Sequence, residues 1–225
     1  MNKIFITNLL LFVLAFPSCS TAQTGSTNVS DTITKSGLSI NGGYLIAVSD
    51  AEFTNHYNTS PAIALAYDYR FHPRFSAGFT AGYSKMKIID RETYALTFPV
   101  LGSNAGLPYK ELVGSDLRII YLEANIKSNM KTIKGWQPYG LLGVTYAFLE
   151  TNPLDGFDKK GNYQIIRNYV NENTFGINVG IGVNFRLDKQ LSLFGQVKYT
   201  SIFTSNINKN AVGLLNAGFG LIIHI

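Results

Sequence analysis

The chain has little charge, a single cysteine and, beyond its first twenty residues, no long apolar run. Lys, Arg, Asp and Glu make up 15% of its 225 residues, against about 25% in an average chain and about 25 to 35% on a water-facing surface. An extensive solvated surface is therefore disfavoured. The lack of a later apolar stretch of about 20 residues excludes a helical anchor there, so any membrane crossing must be made by strands. Strands in hydrocarbon must pair every backbone polar group, which requires a closed barrel. The three histidines stand apart from the cysteine and from metal-ligand spacing, so neither a metal nor a cofactor is expected. The formal charge of +5 comes with no basic stripe or aromatic nucleic-acid motif, and no nucleic acid is expected as a partner.

Residues 1–22 read as a signal peptide. Lys3 supplies the positive region, Ile4 to Phe16 the short apolar core, and Ser20, Thr21 and Ala22 the small-residue cleavage site before Gln23. Cys19 leaves with this leader, and the mature chain then has no cysteine to form a disulfide. The alternative is that Cys19 becomes the lipidated first residue of a lipoprotein. Residues 23–35 are rich in Ser, Thr and Asn and read as a flexible periplasmic segment. Residues 36–225 form one domain.

What the domain does have is alternation. Phe175, Ile177, Val179, Ile181, Val183 and Phe185 share one face, with Gly176, Asn178, Gly180, Gly182, Asn184 and Arg186 on the other. A period of two means a strand. Leu191, Leu193, Gly195, Val197 and Tyr199 repeat the pattern, and so do Leu215, Ala217, Phe219, Leu221, Ile223 and Ile225. Earlier runs start from Leu38, Ile63, Phe75, Ile120 and Trp136, for eight strands in all. A soluble barrel of the lipocalin kind also alternates. The composition of the second face decides against it, because Gly, Ser, Thr and Asn suit a narrow lumen, while a continuous apolar exterior with aromatic ends suits a bilayer.

The links between runs alternate in length. Those at 72–74, 128–135 and 187–190 are short, and the others are longer. An even-stranded barrel with both termini in the periplasm shows this asymmetry. The expected fold is an all-β, eight-stranded antiparallel transmembrane β-barrel, an up-and-down meander. Pro73 and Asp188 are expected at the periplasmic end, and Tyr94 and Asp158 outside the cell.

Several segments carry a family resemblance: the leader end Ala22-Gln23, Tyr121-Leu122-Glu123-Ala124, Trp136-Gln137-Pro138-Tyr139-Gly140, Gly176 through Gly182, and Gly218-Phe219-Gly220. In pattern the chain resembles the small outer-membrane β-barrel proteins of Gram-negative bacteria, the porin-like and opacity-like superfamily. The resemblance implies the outer membrane as location and its lipids as surroundings, with periplasmic chaperones and the barrel-assembly machinery as partners during biogenesis. It also implies a C-terminal assembly signal on Phe219, Leu221, Ile223 and Ile225. Such proteins usually end in an aromatic residue, and here the end is Ile225.

Candidate chemistry is sparse. His56 with Ser49 or Ser60 would be the base and nucleophile of a lipid-modifying enzyme. Residues 155–162 resemble a calcium loop but lack the terminal glutamate and carry two lysines where acids are wanted. Tyr94, Phe98, Tyr109, Tyr163 and Tyr169 in the long links are placed to meet an unidentified surface ligand. The strongest candidate is a lumen charge network of Asp68, Arg70, Glu123, Lys127, Arg186 and Lys198, all on inward faces. In a lumen this narrow these charges are expected to pair and plug it. The leading function is a non-enzymatic barrel presenting four external loops, for envelope structure or surface interaction. A narrow channel for small solutes and a lipid-modifying enzyme are the alternatives.

Overall fold

Strict alternation of large apolar with small or polar side chains commits each run to a strand with two unlike faces, and closure into a cylinder gives each face its own environment. The computed structural model describes residues 36–48, 54, 56–89, 111–157, 161–205, 207 and 211–225. Eight strands form a closed barrel: β1 (Ser36–Ala47), β2 (Ser60–His72), β3 (Phe75–Met86), β5 (Leu117–Asn129), β6 (Trp136–Thr151), β9 (Val170–Arg186), β10 (Leu191–Ile202) and β11 (Val212–His224). Every pair is antiparallel, each barrel strand pairs with the next along the chain, and β11 closes on β1 through Leu38 opposite Ile223. The fold is an up-and-down meander. The leader and the 23–35 segment lie outside the described residues, as do Ser49, Tyr94, Phe98, Tyr109 and Asp158.

The faces separate cleanly. On β9, Ile181 is 54% exposed and Asn178 1%, so the apolar row points away from the barrel and the Gly/Asn row into it. Aromatic residues collect toward both ends of the outer wall, as in a barrel spanning a bilayer. Phe71 and Phe75 stack at 6.5 Å and Trp136 meets Phe185 at 4.6 Å at the short-turn end, while Tyr146 packs on Phe148 and Phe175 toward the other.

Three features depart from the sequence-based expectation. Strands β5, β6 and β9 run further than the alternation suggests, with pairing that continues to Thr151 opposite Val170. The two longest links also contain a second, three-stranded sheet, β4 (Glu111–Gly114), β7 (Leu154–Phe157) and β8 (Tyr163–Arg167), in the order β4-β7-β8. Finally, the lumen is not polar throughout. At the long-loop end its inward positions are Leu45, Met86, Leu117, Ile119, Leu149 and Leu214, a buried apolar cluster that also takes in Leu154 of β7. These residues escape a search for an apolar outward row because the polarity reverses there, with Leu117, Ile119 and Leu149 inward and the charged Arg118 and Glu150 outward.

Candidate functional site

Below the apolar plug the lumen carries its charges in two similar units. In the first, Lys198 of β10 reaches across to Glu123 of β5, with Nζ 2.6 Å from Oε1 and 2.5 Å from Oε2. The same ammonium lies 5.3 Å from the ring centre of Tyr121. The Tyr121 ring rests on Gly82, where an added Cβ would run into it. In the second, Lys127 of β5 lies 2.6 Å from Oδ2 of Asp68 on β2 and 5.4 Å from the ring centre of Tyr139. The Tyr139 ring rests on Gly182, where a Cβ would collide in the same way. Each unit is thus a glycine that makes room for a tyrosine, a tyrosine face beneath a lysine, and a carboxylate that neutralises the lysine. Burial makes this arrangement necessary: Glu123 is 2% and Lys198 4% exposed, and a lone charge there would be strongly penalised.

Around the upper unit, Thr145, Thr200 and Asn216 join Leu45, Ile119 and Leu214 in lining a cavity of about 10 Å³, on the order of the space one water fills. Asn178 donates to Thr145 Oγ1 at 2.9 Å and closes the wall beside it.

Of the six charges expected in one network, four therefore meet as two pairs. Glu123 and Lys127 do not pair with each other, because four residues along one strand separates them by about 13 Å. Arg70 donates to Gln137 Oε1 at 3.1 Å. Arg186 is exposed at the mouth, and its Nε donates to the carbonyl of Asp188 at 3.0 Å. Both arginines lie at the short-turn end, where Ser192 Oγ and His224 Nε2 are 2.7 Å apart.

Residues 10–221 match the family described as outer membrane protein beta-barrel domain. The chain belongs to this family. Among solved structures, Neisserial surface protein A is similar, with a TM-score of 0.56, 14% identity and coverage of 84% of this chain and 97% of that one. A major outer membrane protein from Thermus thermophilus is similar as well, with a TM-score of 0.55, 14% identity and coverage of 84% and 99%. At this identity the likeness is one of fold. No curated protein sequence matches the chain.

As a member of this family the protein is an outer-membrane barrel, and its remaining candidate residues take their places on that frame. Phe219, Leu221, Ile223 and Ile225 form one outward row on the closing strand. The chain end is tied in by Ile225 N, which donates to the Ser36 carbonyl at 2.9 Å. Ser60 is buried, and its hydroxyl has the carbonyls of Lys85 and Pro61 within reach of its one proton while its oxygen accepts from Ser84 Oγ, an arrangement that engages both the proton and the oxygen a nucleophile must present. In the 155–162 segment, Asp155 accepts a 2.5 Å hydrogen bond from Tyr163. Among the described residues no group of three His, Cys, Asp or Glu is placed to hold a metal. Tyr163 and Tyr169 are both exposed.

Two structural elements were not anticipated. Glu172 is buried in the extended part of β9 and accepts from Ser205 N at 2.5 Å, Ser205 Oγ at 3.0 Å and Ile207 N at 3.0 Å, which pins the link between β10 and β11. Its signal was its even number, which continues the inward row of β9 beyond Thr174. Tyr57, also buried, interacts with Arg167 of β8 beside Asp116. Burial pushes the Tyr57 phenol up to about 12, Arg167 opposing and Asp116 adding to the rise. Burial in turn lowers the Arg167 guanidinium.

Proposed function

We propose that the protein is a closed, non-enzymatic barrel that holds its external loops at the cell surface, in an envelope-structural or surface-interaction role. The observation that carries this reading is the filled lumen. Two ion pairs and an apolar plug occupy it, and the cavity beside the Glu123–Lys198 pair measures about 10 Å³, on the order of the space one water fills. The loop-borne sheet β4-β7-β8 supports the presenting role, since Leu112 and Ile166 pack against the plug and give the loops a fixed base. Residues 1–22 act as the leader for export, and the outward C-terminal row serves as the assembly signal for the barrel-assembly machinery. Purified protein in planar bilayers is expected to show no steady conductance. A large, steady conductance would overturn the reading in favour of a channel, and altered lipid chemistry in a deletion strain would favour an enzyme.

A further inference from the structure

Charge at the two ends of the barrel is arranged differently. Among the described residues of the long-loop end, Lys85 lies 3.1 Å from Asp116 and Arg118 3.5 Å from Glu150, while Lys87 is exposed. At the short-turn end every turn carries exposed cations: Arg74 between β2 and β3, Lys131 and Lys134 between β5 and β6, Lys189 between β9 and β10. The acid in these turns is Asp188, and its Oδ1 accepts from the backbone N–H of Gln190 and of Leu191, both at 2.7 Å.

The β5–β6 turn fixes its cation with particular economy. Ile133 and Trp136 exchange backbone hydrogen bonds of 2.8 and 3.0 Å, and between them Lys134 and Gly135 have φ of 50° and 84°. A two-residue turn with both central φ positive favours Asn, Asp or Gly at its first position. A lysine accepts that backbone at some cost, and in return an ammonium stands at the tip of a rigid hairpin. Directly behind it Ile133 is 65% and Trp136 50% exposed. Leu187 and Phe75 are likewise exposed beside Lys189 and Arg74. Each turn therefore combines an apolar group at the level of the acyl boundary with a cation just beyond it, which is the order of chemistry in a phospholipid whose head group is an anionic phosphodiester.

From this we infer that the short-turn rim is a binding surface for the head groups of anionic phospholipids in the periplasmic leaflet, gathered around the barrel by Arg74, Lys131, Lys134 and Lys189. The inference is independent of whether the lumen conducts, because the rim faces lipid and not the lumen.

The chain has one tryptophan, Trp136, and it stands in this rim, so it reports the lipids there. Full-length mature protein is reconstituted in phosphatidylcholine vesicles with a minor share of phosphatidylglycerol, one lipid or the other carrying brominated acyl chains. At low salt the quenching of Trp136 is expected to correspond to phosphatidylglycerol enriched about threefold over the bulk, falling to parity in molar salt. The Lys131→Gln/Lys134→Asn/Lys189→Gln variant should lose the enrichment, and Lys87→Gln at the opposite end should keep it. Equal quenching by both brominated lipids around the wild type at low salt would overturn the inference without any variant. Enrichment that survives the triple substitution, or that ignores salt, would overturn it too.

Discussion

The partner of each lumen charge decides what its removal does. Glu123→Gln leaves Lys198 buried opposite a neutral amide and is expected to destabilise the barrel by about 3–5 kcal/mol, whereas Glu123→Gln with Lys198→Met removes both charges and should be markedly milder. Glu123→Gln combined with Lys127→Met should instead be nearly additive, because those two residues belong to different pairs. Urea unfolding of the reconstituted variants distinguishes the cases, and strong coupling between Glu123 and Lys127 would refute the pairing. A second expectation concerns Tyr57. Its folded pKa of about 12 lies above the ordinary 10, so the fold favours the neutral phenol. That contribution is full below pH 10 and is lost as the pH rises through about 12. Cleavage of the loops by an alkaline protease should rise across this window in the wild type and stay flat in Tyr57→Phe.

At the level of the strand, the two faces of β9 predict opposite tolerance. Ile181→Arg places a cation against hydrocarbon and should cost about 2–4 kcal/mol near the midplane, while Asn178→Ser, inside the barrel, should be mild. Equal losses in unfolding free energy would reverse the assignment of faces. This contrast was legible in the sequence because β9, β10 and β11 alternate without interruption over long runs, and the outward rows Phe175 to Phe185 and Leu215 to Ile225 stand as expected. The upper ends of the strands were not legible. Where the lumen becomes apolar, as at Leu117, Ile119 and Leu149, the outward positions Arg118 and Glu150 are charged, so the apolar row changes face and the apolar-outward pattern breaks off. The strands β4, β7 and β8 were hidden for another reason: four or five residues hold too little of a period, and Glu111 pairs with Phe157 far along the chain. The lumen charges were recognised as inward because parity decides that. Their partners were not, because register between strands is set by pairing across the whole barrel, which no local pattern records.

For the whole molecule, the alternation of short and long links predicts which end faces which compartment. Cysteines introduced at Pro73 and Asp188 should resist a membrane-impermeant label on intact cells, and a cysteine at Asp158 should react. The reverse pattern would invert the topology. The fold itself was readable at this scale from few facts, the low charge and the period of two foremost, since strands that cross hydrocarbon must close into a barrel.

The prolongation of β5, β6 and β9 has a consequence for how the long-loop end of the protein can change. Thr151 still pairs with Val170, and this ladder leads directly into β7 and β8, which pair with each other and with β4. A peptide grafted between β7 and β8 is therefore expected to leave the eight-stranded barrel folded, which retention of the wild-type unfolding midpoint in urea would report.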